Sequence, residues 1–132
     1  MGEPRISEEK IFRFILDYVD SIPQMEALLL LWRSRPQQWS EQQLAARIYV
    51  DLKEVPGILG DLVQRQLISV AGTGSASSYC YELPSEEMDQ MMRAVAETYG
   101  RDLIRVSKLI HSKSSSGIQE FARAFKFTKE RE

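Results

Sequence analysis

Side chains able to perform chemistry are few and far apart in this sequence. It contains one histidine, His111, and one cysteine, Cys80. A single histidine excludes a two-histidine zinc site and most acid–base arrangements. The glycine-rich run over 72–75 is not followed by the Gly-Lys-Ser/Thr of a phosphate-binding loop. We therefore predict no catalytic residue, no metal site and no cofactor, and we interpret the chain as a binding protein rather than an enzyme.

The composition predicts an ordinary globular protein. The 132 residues are 43% hydrophobic and carry a formal net charge of −2, which gives no overall attraction to nucleic acid or to an anionic membrane. The longest apolar run, over 27–32, is too short to span a bilayer. The polar N-terminus does not resemble a signal peptide. We expect a single domain over 1–132, located in the cytoplasm, with no membrane partner.

Helix-capping signals recur along the chain and divide it into elements. Ser7, Ser21 and Ser85 each precede an amphipathic run, and Ser40-x-x-Gln43 has the capping-box spacing. Asp51-x-x-Glu54 repeats that spacing, which predicts a helix from Asp51 to about residue 66. The alternative, because Pro56 removes a helix hydrogen bond, is a turn over 51–55 and a helix that begins near Pro56. Alternating strands over 67–70 and 79–83 then flank a Gly/Ser-rich turn. This order of helix, turn, helix, strand, loop and strand is that of a winged helix-turn-helix.

The predicted fold is mainly α-helical with a small β-hairpin. It comprises an N-terminal helix over 7–20, a winged helix-turn-helix core over 21–84, a long C-terminal helix over 85–112 and a terminal amphipathic helix over 118–127. The flanking helices carry apolar faces wider than one packing contact requires, which is typical of dimerisation helices. The candidate dimer-interface residues are Ile11, Phe12, Ile15, Met92, Val95, Tyr99, Val106, Ile110, Phe121 and Phe125.

With helices before and after this motif, the chain resembles MarR-like bacterial transcriptional regulators, most of all over 22–68. The resemblance implies a homodimer that binds duplex DNA. Its second motif helix would enter the major groove, and its wing would touch the flanking minor groove. The positions that it implies for base edges are Leu52, Lys53, Pro56 and Gly57. Those that it implies for the DNA backbone or the wing contact are Ser40, Gln42, Gln43, Arg47, Thr73 and Ser75.

The local charge supports a different hypothesis. Between residues 40 and 87 the sequence has three basic and seven acidic residues, a net charge of −4, and the loop over 72–78 carries no lysine or arginine. DNA affinity depends strongly on neutralising phosphates with such side chains. The alternative is therefore a winged-helix protein–protein interaction module that does not bind DNA.

Several conspicuous side chains have ordinary packing roles in our interpretation. We predict that Trp32 and Trp39 are core aromatics rather than the lining of a ligand pocket. Met88, Met91 and Met92 are interpreted as packing residues at helical spacing. Cys80, between two tyrosines on a strand, is interpreted as an inert thiol in or near the core.

Overall fold

A computed structural model describes residues 6–81 and 85–113 of the chain. Its helices are α1 (Glu8–Tyr18), α2 (Ile22–Ser34), α3 (Glu41–Ile48), α4 (Val55–Gln64), α5 (Glu86–Arg101) and α6 (Leu103–His111). Its strands are β1 (Trp39–Ser40), β2 (Ser69–Ala71) and β3 (Ser78–Cys80), and short 3₁₀ helices span Leu52–Glu54 and Gly74–Ala76. The strands form one antiparallel sheet in the order β1-β3-β2. The predicted, mainly helical winged-helix fold is confirmed.

The serine caps predicted from the sequence are present. The Ser7, Ser21, Ser40 and Ser85 hydroxyl oxygens each accept a hydrogen bond from the backbone N–H three residues further on, at 3.1–3.2 Å. Each bond satisfies a donor that the first turn of a helix otherwise leaves unpaired. The sequence therefore determines where α1, α2, α3 and α5 begin.

The start of α4 follows the alternative arrangement, a turn before a helix that begins near Pro56, rather than a helix capped by Asp51. Asp51 has the spacing of a helix cap, but its side chain makes no capping bond, and the chain instead forms the 3₁₀ turn Leu52–Glu54 before α4 begins at Val55. Pro56 is the reason. Proline has no N–H and a fixed φ, so it suits the first turn of an α-helix and disrupts later turns.

The predicted long helix over 85–112 is two helices. Asp102, with φ −125° and ψ 50°, separates α5 from α6, close to Gly100, which lowers helix propensity. The break allows α6 to pack against both α1 and α5, and it buries Val106, Leu109 and Ile110 almost completely. The helix predicted over 118–127, with Phe121 and Phe125, lies outside the described residues.

The predicted dimer-interface residues need a correction. Within the described part of the chain they are all buried inside the protomer, with exposures of 0–8%: Ile11, Phe12, Ile15, Met92, Val95, Tyr99, Val106 and Ile110. A side chain that is already covered by its own chain has no surface left for a partner. These residues form the core that joins α1, α5 and α6 to the winged-helix elements. The two flanking apolar faces predicted from the sequence therefore pack on each other.

The wing is shorter than predicted, with three-residue strands that pair Val70 with Tyr79. Gly72 precedes its tip at φ +82°, and a Cβ there would lie 2.5 Å from the Ala76 carbonyl oxygen. Only glycine fits this position. Across residues 6–81 and 85–113, no helix combines the length and the apolarity needed to cross a membrane.

Candidate nucleic-acid interface

Helix α3 begins with a complete capping box. The Ser40 Oγ accepts from the Gln43 N–H at 3.1 Å, and the Gln43 Oε1 accepts from the Ser40 N–H at 2.9 Å. In both bonds the side-chain oxygen is the acceptor, and the side-chain donors are not used. The Ser40 hydroxyl proton, the Gln43 amide N–H groups and the exposed Gln42 amide are the donors with which this helix start can meet an anion.

The turn between α3 and α4 displays an aromatic side chain. Tyr49 ends α3 in the left-handed conformation, at φ 59° and ψ 49°, and its side chain is 92% exposed. The backbone N–H groups of Tyr49 and Val50 both donate to the Ala45 carbonyl, the Val50 bond at 3.1 Å. A bulky residue is uncommon in this conformation. The turn is therefore tightly closed, and it holds Tyr49 away from the core.

The predicted base-facing residues lie together at the start of α4. Leu52 is 46% exposed, and Lys53, Pro56 and Gly57 are exposed beside it. The opposite side of the same helix is fully buried at Val55, Leu59 and Leu62. The structure thus separates α4 into a core face and a solvent face, and it places all four predicted residues on the solvent side.

Two side chains hold α4 in place, Gln24 on α2 and Arg65 at the end of α4 itself, and neither role is evident from the sequence. Gln24, only 2% exposed, donates from Nε2 to the Ile58 carbonyl at 3.1 Å, and its Oε1 accepts from the Asp20 N–H at 2.7 Å. Arg65, directly after α4, donates to the Tyr18 carbonyl at 2.8 Å and to the Asp20 carboxylate at 2.7 Å. The orientation of α4 is therefore fixed by the α1–α2 turn.

We call Asp20, Arg65 and Lys113 the Asp20 brace. The Lys113 Nζ lies 2.6 Å from the Asp20 Oδ1 and also donates to the Val19 carbonyl at 2.7 Å. Burial opposes ionisation of Asp20, but the hydrogen bonds and charges of Lys113 and Arg65 outweigh it and lower the pKa of this carboxyl. The brace ties the end of α4 to the end of α6.

A cleft between α2 and α3 contains two arginines. Arg33 and Arg47 line it together with Trp39. The Arg47 guanidinium lies 5.8 Å from the Trp39 ring centroid, and the Trp39 indole N–H donates to the Ser34 Oγ at 2.9 Å. Arg47 was among the predicted residues, but Arg33 was missed because only the packing of α2 on α3 brings it here.

The Glu26 carboxylate, which also lines this cleft, accepts from the Tyr99 hydroxyl at 2.5 Å. Burial and this carboxylate together raise the pKa of Tyr99. The hydrogen bond joins α5 to α2. Glu26 is thus engaged with α5 at the edge of the two-arginine cleft.

Folding removes some of the charges that the sequence counts. Glu41 is buried and accepts from the Tyr79 hydroxyl at 3.1 Å; burial, followed by this bond, raises the pKa of Tyr79. Arg65 is used in the brace. The exposed charged residues next to the turn are Arg47, Lys53, Asp51 and Glu54. The two engaged groups are one acid and one base, so the net charge of the segment stays at −4, whereas the exposed charges beside the turn balance, two basic against two acidic.

The wing contributes polar and apolar groups. Thr73 is exposed near its tip, and Val70 on β2 is 43% exposed. The Ser75 side chain lies outside what the structure describes. Cys80 is buried, and its Sγ lies 3.3 Å from the Ser69 Oγ. Among the described residues, no group of three or more His, Cys, Asp or Glu side chains is arranged to hold a metal ion.

Both tryptophans are buried as predicted, although Trp39 also lines the two-arginine cleft. Trp32 and Trp39 are 9% and 8% exposed. The Trp32 indole N–H donates to the Asp89 carboxylate at 2.7 Å, which links α2 to α5, and Arg35 lies 3.0 Å from the same oxygen. Met92 is fully buried, as expected of a packing residue.

Comparison with solved structures supports the same fold. The structure of MepR, a transcription regulator of the Staphylococcus aureus multidrug efflux pump MepA, is similar over 94% of this chain and 89% of its own, with 12% identity and a TM-score of 0.52. A MarR family protein from Bacillus stearothermophilus is similar over 94% and 83%, with 17% identity and a TM-score of 0.50. The chain thus has the winged-helix fold of MarR-type regulators, flanking helices included. No protein-family model matches the sequence, and no curated protein is significantly similar to it.

Proposed function

We propose that this protein is a transcription regulator that binds duplex DNA as a homodimer, with the start of α4 in the major groove. The observation that carries this proposal is the solvent face of Leu52, Lys53, Pro56 and Gly57, held on a rigid framework. The proteins of like fold, which include the transcription regulator MepR, support it. Neither of these similar structures favours the alternative of a protein–protein interaction module that does not bind DNA. The protein is not proposed to be an enzyme.

The arrangement suits groove binding because α4 is supported from behind. Its inner face packs on the core through Leu59 and Leu62, and Gln24 and Arg65 fix its middle and its end. A recognition helix contacts base edges mainly through its N-terminal residues. Those are the residues that this helix exposes.

Cations near the motif supply phosphate contacts. Lys53 lies at the start of the proposed recognition element, and Arg47 and Arg33 line the neighbouring cleft. Within the described residues, neither arginine forms an ion pair with a carboxylate. The donors of Ser40, Gln42 and Gln43 add neutral hydrogen bonds to the backbone of the DNA.

The homodimer contact that we propose differs from the one predicted by sequence. Leu103 and Ile104 are 51% and 72% exposed, at the first turn of α6. The opposite face of α6 is buried in the protomer at Val106, Leu109 and Ile110. A second copy of the chain that covered Leu103 and Ile104 would remove the exposed part of both side chains from water, which is worth about 1 kcal/mol for each.

Binding to a random-sequence duplex at low salt, followed by fluorescence anisotropy, tests the DNA proposal. We expect association that weakens as salt increases. Lys53→Ala should reduce the slope of log affinity against log salt by roughly one for each phosphate that the lysine neutralises. Arg13→Ala, which removes an exposed arginine on α1, is the matched control and should leave the slope unchanged. A folded protein that shows no association with duplex at low salt would overturn the proposal.

Sedimentation equilibrium tests the homodimer. The wild-type protein should sediment as a dimer, and Ile104→Glu should shift it toward monomer. Lys108→Glu places the same carboxylate on an exposed position of α6 and leaves both aliphatic side chains in place. If Ile104→Glu and Lys108→Glu dissociate the protein equally, charge rather than the aliphatic pair governs assembly, and this contact is wrong.

A further inference from the structure

A leucine is exposed where the proposed recognition element begins. Leu52 opens the 3₁₀ turn Leu52–Glu54 and leaves 46% of its surface in water, while the next residue of the same helical face, Val55, is fully buried. The fold does not need this side chain for its core. A single exposed leucine is common on protein surfaces, so its place matters more than its exposure: Leu52 lies, with the exposed Pro56, at the start of the element proposed to enter the groove.

The residues around Leu52 offer little hydrogen bonding to base edges. Pro56 has no N–H, and Gly57 and Gly60 have no side chain; a Cβ at either glycine would meet nothing within 4 Å. Discrimination of guanine or adenine in the major groove normally uses Arg, Lys, Asn or Gln in bidentate contacts. Of these, the first turn of this element holds only Lys53.

The major groove presents one apolar group on its base edges, the C5 methyl of thymine. We propose that Leu52 reads this methyl group, with the exposed ring of Pro56 beside it, so that the preferred DNA carries thymine where the start of α4 meets the groove. This inference rests on the proposed function, and it adds the class of sequence that the protein selects.

Synthetic duplexes that differ only in the methyl group test the inference without knowledge of a natural site. Alternating dA-dT is compared with alternating dA-dU, which lacks the methyl. Alternating dG-dC is compared with dG-d(5-methyl-C), which carries a methyl at the same place in the groove. We expect the methylated member of each pair to bind more tightly, roughly fourfold for each methyl group buried.

The same four duplexes are then bound by Leu52→Ala and Leu52→Met. The alanine variant should bind methylated and unmethylated duplexes equally. The methionine variant retains apolar bulk and should retain the preference. Because Leu52 is half exposed, both variants should fold, and circular dichroism verifies this before binding is measured.

The outcomes separate the two proposals. Equal binding of dA-dT and dA-dU by the wild-type protein overturns methyl reading and leaves DNA binding intact. A preference that survives Leu52→Ala overturns the role of Leu52, because another group then reads the methyl. Absence of binding to any of the four duplexes overturns the proposed function itself, and methyl reading with it.

Discussion

Helices α3 and α4 are neighbours in the motif, yet they are stabilised in different ways. The bonds that define α3 are local: Ser40 and Gln43 cap each other across three residues, and the turn at Tyr49 closes on Ala45. No side chain caps the start of α4. Its polar restraints come from Gln24 and Asp20, which are 34 and 45 residues distant from their partners in the chain.

This difference shows how the motif is assembled. Local capping sets where α3 begins, although its first residue, Glu41, also accepts a hydrogen bond from Tyr79 on β3. The helix α4, which carries the proposed groove-facing residues, is positioned by the α1–α2 turn and, through the Asp20 brace, by the end of α6. We therefore expect a change in the flanking helices to alter the position of α4 more than that of α3.

The largest expected effect is that of Leu59→Ala, beneath α4. Leu59 is fully buried, so the substitution should lower the free energy of unfolding by about 3 kcal/mol, which chemical denaturation measures. The same substitution at the half-exposed Leu52 is the control and should cost much less. Native-state hydrogen exchange should show a greater loss of protection in α4 than in α3. Equal losses of protection in α3 and α4 would contradict the conclusion that α4 depends more on tertiary contacts than α3 does.

The Asp20 brace should give the next largest effect, and a pH dependence. Asp20→Asn should lower the free energy of unfolding at neutral pH by about 1.5 kcal/mol, a figure that allows for the partial exposure of the pair. The pKa of Asp20 is lowered in the folded protein, so this contribution is complete above the unfolded value of about 4 and is lost as the pH falls through the folded pKa.

Denaturation of the wild-type protein and Asp20→Asn across the acid range verifies this dependence. The two stabilities should converge at low pH, because the wild-type carboxyl is then neutral as well. Asp17→Asn removes an exposed carboxylate from α1 and is the matched control. A gap between Asp20→Asn and wild type that stays constant with pH would show that the brace does not act through charge.

The capping difference predicts a smaller effect. Ser40→Ala should lower the free energy of unfolding by about 1 kcal/mol, since it removes half of the α3 capping box. Asp51→Ala, at a position with capping spacing but no capping bond, should change it by less than about 0.5 kcal/mol. Thermal or chemical denaturation of the two variants side by side provides the measurement. A larger loss of stability in Asp51→Ala than in Ser40→Ala would contradict the assignment of Ser40 as the helix cap.

The smallest expected effect has the opposite sign. Tyr49→Gly should raise the free energy of unfolding by about 0.5 kcal/mol, because glycine adopts the left-handed conformation without steric cost and the tyrosine ring buries almost nothing. Tyr49→Ala, which retains a Cβ at the same φ, is the control and should give no such gain. A loss of stability in Tyr49→Gly would indicate that the ring packs in the folded protein.

Local signals in the sequence predicted much of the fold. The serine caps and the alternating strands placed α1, α2, α3, α5 and the wing, because each depends on residues within a few positions of one another. Pro56 marks the start of α4 better than Asp51 does, and the break at Asp102 lies close to Gly100, which lowers helix propensity. The solvent face of α4 was predicted correctly as a surface, and its contact with DNA stays a proposal.

The parts of the candidate site that escaped prediction all depend on tertiary contact. Gln24 and Arg65 resemble ordinary polar residues in the sequence, and only the crossing of α2 and α4 makes them restraints on the motif. Arg33 reaches the cleft of Arg47 through the packing of α2 on α3. Burial of the predicted dimer-interface residues within the protomer also escaped prediction, since apolar periodicity identifies a buried face but not which chain covers it.

The single thiol of the sequence gives the wing a built-in reporter. Cys80 is 6% exposed on β3, the central strand of the sheet, where it pairs with Ser69. A thiol-reactive reagent can modify it only when that strand separates from its neighbours. The rate of labelling therefore measures how often the wing opens, and a decrease in that rate on addition of duplex would register contact at the wing without any engineered probe.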